Sequence, residues 1–250
     1  MNDKSHWNKI APTYNDEIFD VYANDRNKRL PYYIKKYSDQ TKTVLDVGCG
    51  NGKSFQHLAP QFRQVIGIDI SQGLLSQARA RGFSNVTLKQ ADVTRKQLRL
   101  PTVDVAFCCN VIMFADLRKN HQSFQNVNRA LKKGGTALFV LPSLDSALFS
   151  SWRLIELYRR EGVRPAEIPA HEFHYFKGTK RDLIQGIVYI DGVPTKHYSG
   201  SELRVILPEA GFTITTLTRI EYEWDTELAS APGWLKAPYP WDWLVVCTKN

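Results

Sequence analysis

The chain has 250 residues, 43% of them hydrophobic, enough for one large α/β domain with a substantial core. No apolar run approaches membrane-spanning length, and residues 1–7 lack the apolar stretch of a secretion signal, so the sequence predicts a cytoplasmic protein with no membrane insertion. The net charge of +8 raises the possibility of a nucleic-acid partner, but the basic residues fall in scattered pairs such as Lys28-Arg29, Lys132-Lys133 and Arg159-Arg160, which suit a solvated surface better than a phosphate track.

In chain order, an aromatic-bearing segment from His6 to Tyr33 precedes the first strand pattern. The apolar run Thr43-Val44-Leu45 then leads into Asp46-Val47-Gly48-Cys49-Gly50-Asn51-Gly52 and a helix-like stretch from Lys53 to Leu58. A β-branched run, alternating glycines and a helical pattern read as strand, tight turn and helix. Glycines in such a turn let a ligand approach the backbone with no Cβ in the way, at the carboxyl end of a strand, where open α/β sheets bind their ligands. The dinucleotide fingerprint G-x-G-x-x-G/A does not fit: after Gly48 and Gly50 the third glycine comes one residue early, at Gly52, and Lys53 fills its slot. A Walker A phosphate loop cannot be written through these residues either.

Val65 to Ile70 is a second strand pattern reaching a carboxylate at Asp69, with Ser71 as a helix N-cap and Leu74-Leu75 on an amphipathic helix. A third strand from Val86 runs toward Asp92-Val93, and a fourth spans Val103 to Asn110. Arg129 to Gly135 reads as a helix ending at glycine, which opens the strand Ala137–Leu141. An apolar, aromatic helix (Leu148 to Tyr158) follows, then Glu167 to Phe176 with His171, Glu172 and His174, and a hairpin turning at Asp191-Gly192. A helix near Ser201 to Gly211 and strands Thr213–Ile220 and Trp243–Cys247 close the chain. Between those strands, Glu221 to Glu227 alternates acids with other residues, so a strand there would carry carboxylates on one face and aromatics on the other. With Trp234, Tyr239 and Trp241 these form either a ligand rim or a cover for the sheet edge. The four cysteines, 49, 108, 109 and 247, are expected reduced and buried, and Cys108 and Cys109 point to opposite strand faces. His171 and His174 have weak metal-ligand spacing and no obvious third ligand, so no metal is expected.

The ordered set of an acid followed by G-x-G-x-G, a second strand ending in Asp69, a third leading to Asp92 and a Lys-Gly-Gly before the fifth strand resembles the class I S-adenosylmethionine-dependent methyltransferases. The resemblance covers residues 43 to 141 and extends to the closing strand pair. It implies an α/β fold, a doubly wound, seven-stranded, mostly parallel Rossmann-like sheet whose last strand inserts antiparallel. It also implies a single domain, 1–250: an N-terminal helical lid at 1–40, a cofactor core at 41–145, a substrate-cap insertion at 146–200, and a closing helix and strand hairpin at 201–250. A helix merely packed on the sheet edge is the alternative to the lid.

By the same resemblance the cofactor is S-adenosylmethionine. Asp46, Gly48, Cys49, Gly50 and Gly52 would form its loop, and Asp69 would meet the ribose hydroxyls. Asp92 would meet the adenine amino group, Ile70 and Val93 would wall the purine, and Leu74 and Asn110 complete the set. The implied activity is methyl transfer to N or O of a small-molecule acceptor, with Tyr14, His171 and His174 as candidate catalytic residues and His197 and Glu172 as further candidate bases. Asn110-Val111-Ile112-Met113 is neither the Asn/Asp-Pro-Pro-aromatic turn of base-amine methyltransferases nor a Pro-Cys nucleophile, which disfavours nucleic acid. An RNA or protein methyltransferase, or a non-catalytic cofactor-binding regulator, is the alternative; a monomer or homodimer is expected.

Overall fold

The computed structural model describes residues 4–228 and 230–250; Met1–Asp3 of the expected lid and Ala229 of the 221–241 loop lie outside the described residues. Short helices α1 (Lys4–Ile10), α2 (Tyr14–Glu17), α3 (Val21–Asn24) and α4 (Arg29–Tyr37) lead into β1 (Asp39–Val47). Helix and strand then alternate through α5 (Phe55–Leu58), β2 (Phe62–Asp69), α6 (Gln72–Ala80), β3 (Val86–Gln90), β4 (Val103–Cys109), α7 (Leu117–Ala130) and β5 (Leu131–Pro142). After α8 (Leu144–Arg160) and α9 (Lys180–Ile184) come a hairpin of β6 (Ile187–Ile190) and β7 (Val193–Lys196), then α10 (Gly200–Glu209), β8 (Phe212–Glu221) and β9 (Trp241–Lys249).

Seven strands form one sheet in the order β3-β2-β1-β4-β5-β9-β8. The first five pair in parallel, and β9 enters antiparallel between β5 and β8. The inner strands are apolar on both faces because helices cover both, so successive residues feed two cores. Leu45, Cys108, Phe139 and Val245 belong to one core; Val44, Phe107, Leu138 and Leu244 belong to the other. All eight are buried, and each large apolar side chain removed from water contributes about 1.5–3 kcal/mol. Cys109 packs against the core opposite Cys108, as strand alternation requires.

Two local expectations differ from the structure. The helix before β5 ends at Ala130 rather than at glycine, and Leu131 is already extended and paired with Val103. The ladder resumes at Val105 and Thr136, so Lys132 to Gly135 bulge out of it. Burial of Leu131 (1% exposed) drives the early switch, and Lys132 reaches Asp104 across the bulge. At Gly135 a Cβ would lie 2.9 Å from the Lys132 carbonyl oxygen and 3.0 Å from that of Asp104.

The second difference is beyond β8, which stops at Glu221; Trp224–Thr226 is a turn of 3-10 helix, not strand. Aromatics and acids still separate there: Tyr222 and Trp224 are buried, while Glu221 accepts from Asn27 and Glu223 pairs with Arg26. Trp234, Tyr239 and Trp241 carry the guanidiniums of Arg160, Arg26 and Arg219 at 3.9, 4.0 and 3.9 Å from their ring centroids.

The hairpin is held over the carboxyl ends of β4 and β5. Lys196 N donates to Met113 O at 3.0 Å and Tyr198 N to Pro142 O at 2.8 Å, while the Tyr198 hydroxyl donates to Ile112 O at 2.8 Å. Asp191 and Gly192, at φ +47° and +78°, make the tight reversal the Asp-Gly pair signals.

Candidate functional site

A cavity of about 880 Å³ opens at the carboxyl ends of β1, β2 and β4, beneath the N-terminal helices and the β6–β7 hairpin. Its floor is the glycine loop. Gly48 and Gly50 have φ of +68° and +54°, a region that costs an L side chain about 1 kcal/mol or more. A Cβ on Gly48 would lie 2.3 Å from Val111 Cγ2, and one on Gly50 would lie 2.6 Å from the Tyr14 hydroxyl oxygen. The amides of Gly48 and Cys49 donate to Ile68 O at 2.8 and 3.0 Å, which ties the loop to β2.

The loop fixes Asp69 in turn. Gly50 N donates to Asp69 Oδ2 at 2.9 Å and Ser71 N to Oδ1 at 2.8 Å, while Ser71 Oγ caps α6 through Leu74 N. Burial still raises the Asp69 carboxyl above its ordinary value despite these donors. Asp46, 2% exposed, accepts from the Ser54 hydroxyl; burial pushes its carboxyl up to about 7, the Ser54 bond opposes this and the charge of Asp69 adds to it. Asp92, two residues past β3, accepts from Thr94 N at 2.9 Å and Thr94 Oγ1 at 2.7 Å.

Asp46, Gly48, Cys49, Asp69, Ile70, Leu74, Asp92, Val93 and Asn110 all line the cavity, as does Tyr14. Gly50 and Gly52 do not; Gly50 acts through its amide on Asp69, and Gly52 leaves room for the Phe55 ring. The N-terminal segment is bound to the core: Asn8 Oδ1 accepts from Ser71 Oγ at 2.7 Å, Gln77 Nε2 donates to Ala11 O at 2.7 Å, and Asn51 Nδ2 donates to Asn15 Oδ1 at 2.9 Å. Burial, then the charge of Asp69, raises the Tyr14 phenol, which keeps it protonated and unfit as a base.

The other end of the cavity is built from segments far apart in sequence. Asn110, at φ +51°, donates Nδ2 to Asp242 Oδ2 at 2.9 Å, and the Tyr222 hydroxyl donates to the same oxygen at 2.8 Å. Burial raises Asp242 to about 6, against those donors. Glu227 also lines the cavity, although the residue as a whole is exposed; desolvation of its carboxyl, then the charge of Asp242, pushes it up to about 7. His197 is a cavity residue too, its Nδ1 on Thr195 O at 3.2 Å, and burial lowers it to about 4.

The structure does not bring His171 and His174 to the cavity. The His171 side chain is 81% exposed, and His174 Nδ1 bonds the His171 carbonyl at 2.8 Å. Glu172 accepts from the Tyr158 hydroxyl at 2.6 Å on the same outer surface. Tyr222, Glu227 and Asp242 were not singled out as site residues from sequence; the acid–aromatic alternation at 221–227 was the available signal. Among the described residues no group of three His, Cys, Asp or Glu could hold a metal ion, and no helix is long and apolar enough to cross a membrane.

A family model described as a methyltransferase domain matches residues 44–135, the stretch that holds the glycine loop and β2 to β4. The dTDP-3-amino-3,4,6-trideoxy-alpha-D-glucopyranose N,N-dimethyltransferase of Streptomyces venezuelae is 23% identical over 218 residues, covering 82% of this chain and 90% of that relative. The malonyl-[acyl-carrier protein] O-methyltransferase 2 of Coxiella burnetii is 30% identical over 142 residues, 55% of each chain. Among solved structures, the N-methyltransferase NodS of Bradyrhizobium japonicum, in complex with S-adenosyl-L-homocysteine, shares the fold at a TM-score of 0.62 and 14% identity, covering 100% of both chains.

Proposed function

Because the chain belongs to the class I S-adenosylmethionine-dependent methyltransferases, we propose that it methylates a nitrogen or oxygen of a small-molecule acceptor inside this cavity. The carrying observation is Asp69, held at the end of β2 by two backbone amides and lining the cavity beside the glycine loop.

The residues present fit the cofactor. In this reading Asp69 binds the ribose hydroxyls, Asp92 the adenine amino group, and Ile70, Leu74 and Val93 form the apolar walls. Gly48, Cys49 and Asn110 meet the methionine end, where the buried Oδ1 of Asn110 has no partner among the described residues. Gly50 and Gly52 support the loop from behind, and residues 1–40 serve as a lid over the 41–145 core, with 146–200 capping the acceptor and 201–250 closing the sheet.

The bound cofactor supplies an electrophilic methyl group on a sulfonium. The chain contributes position, dryness and field. Holding an acceptor about 3–3.5 Å from the methyl carbon supplies several kcal/mol of barrier lowering, and the carboxylates of Asp46 and Asp69 complement the positive sulfur in a site shielded from water. The enclosing lid and hairpin favour a small acceptor over RNA or a protein, and both relatives named above by their reactions act on N or O.

Titration calorimetry with S-adenosylmethionine, S-adenosylhomocysteine and NAD tests the cofactor side. Micromolar binding of the first two, lost in Asp69→Ala, is expected; binding of NAD alone refutes the reading. For the acceptor, labelled methyl is expected in the small-metabolite fraction of an extract, and label found only in RNA or protein overturns that half.

A further inference from the structure

We infer that the acceptor of this methyltransferase is an amine, held between Glu227 and the Asp242–Tyr222–Asn110 group, with Glu227 receiving the proton that the amine must lose. This rests on the methyltransferase reading above and narrows it to one substrate class.

The first observation is charge. The protein carries a net +8, yet its cavity is lined by eight carboxylates and two lysines, Lys53 and Lys119. Lys53 is taken up by Asp20 at 3.2 Å. Asp46, Asp69 and Asp92 are assigned above to the cofactor, which leaves Glu227 and Asp242 among the cavity carboxylates without a role there. Neither Glu227 nor Asp242 has a cationic partner among the described residues; the side chains on Asp242 are the neutral donors Tyr222 and Asn110. Two carboxylates lining one cavity with no counter-charge of their own favour a ligand that brings one.

The second observation is the kind of wall beside them. Phe19 and Tyr222 meet edge to face with centroids 4.9 Å apart, and both line the cavity. Such ring surfaces attract an ammonium. A carboxylic acid acceptor would enter as a third anion against Glu227 and Asp242, and an alcohol would leave their charge uncompensated.

The third is proton transfer. An ammonium nitrogen has no lone pair to attack with. When its N–H bond breaks, the proton goes to a Glu227 carboxylate oxygen and the electron pair stays on nitrogen. That pair forms the N–C bond to the methyl carbon as the C–S bonding pair leaves on sulfur. Of the cavity groups that could act as the base, Tyr14 is held protonated and His197 is too weakly basic, whereas Glu227 at about 7 is matched to neutral pH.

The test is equilibrium binding of a matched set, phenethylamine, 2-phenylethanol and 3-phenylpropionate, to the protein saturated with S-adenosylhomocysteine, followed by ligand-observed NMR. The amine should bind at least 10-fold more tightly than either isostere, and Glu227→Gln should erase most of that preference while S-adenosylhomocysteine affinity stays within twofold. Asp242→Asn is the second variant and should reduce the same preference. Equal binding of the three, or preference for the alcohol or carboxylate, overturns the amine inference and leaves the methyltransferase standing. Failure of S-adenosylhomocysteine to bind the unmodified protein refutes the underlying function instead.

Discussion

Replacing Asp46 with Asn should stabilise the cofactor-free protein, and the gain should grow with pH. Asp46 is 2% exposed and its carboxyl is raised from 3.8 to about 7 by burial. The folded state therefore holds this proton more tightly than the unfolded state does. Its contribution is fully present below about pH 4 and is lost as pH rises toward about 7. At 1.36 kcal/mol per pH unit, the buried carboxyl costs the fold about 4 kcal/mol by pH 8, where it ionises, but only about 1.7 kcal/mol at pH 5, where folding must take up a proton. Asn stays neutral and can still accept from the Ser54 hydroxyl, so it escapes both costs. Urea unfolding of the two proteins at each pH isolates the group, since other titrations largely cancel in the difference. The stability difference, variant minus parent, should increase by about 2.5 kcal/mol from pH 5 to pH 8. A difference independent of pH would show that Asp46 is ionised in the fold without penalty. The gain should cost function: the variant should lose more affinity for S-adenosylmethionine, which carries the sulfonium, than for S-adenosylhomocysteine, which does not.

Gly48→Ala should destabilise the protein by about 1–3 kcal/mol in thermal unfolding, because φ is +68° and the new Cβ would lie 2.3 Å from Val111 Cγ2. Adding Val111→Ala should recover the part due to the clash and not the part due to φ. The double variant His171→Ala/His174→Ala should keep kcat/KM within twofold of the parent, since neither residue lines the cavity; a larger loss would mean these residues reach the acceptor. Lys196→Met should cost about 2–4 kcal/mol in denaturant unfolding. Its ammonium is buried against the carbonyls of Gln185 and His197 at 2.8 and 2.9 Å and against Glu202 at 2.6 Å. Glu202 is 30% exposed and can take up water, which places the loss toward the lower figure.

The glycine-loop end of the cavity was legible because its signals are local. Asp46 and Asp69 sit at strand ends that apolar runs mark, and the strand leading to Asp92 is marked in the same way. Gly48 and Gly50 sit where the backbone turns through positive φ, and Ser71 caps the helix that its position announces. The Asp191-Gly192 reversal was equally plain, since the turn demands those residue types. The switch at Ala130–Leu131 was not: two lysines and two glycines read as a helix stop, but burying Leu131 against β4 outweighed that local signal.

What the chain order alone determined is therefore the run of strands and helices, and with it the glycine loop and its acids, because periodicity and glycine act over a few residues. The end of the cavity around Asn110 and Asp242 was decided only by the tertiary structure. Asn110 and Asp242 are separated by 132 residues and meet because β9 inserts beside β5, and Tyr222 joins them from the end of β8. The same packing carries His197 into the cavity on the hairpin and leaves His171 and His174 outside. Side chains so distant in sequence have no shared period to reveal them; the register of an antiparallel strand pair brings their polar atoms to one point.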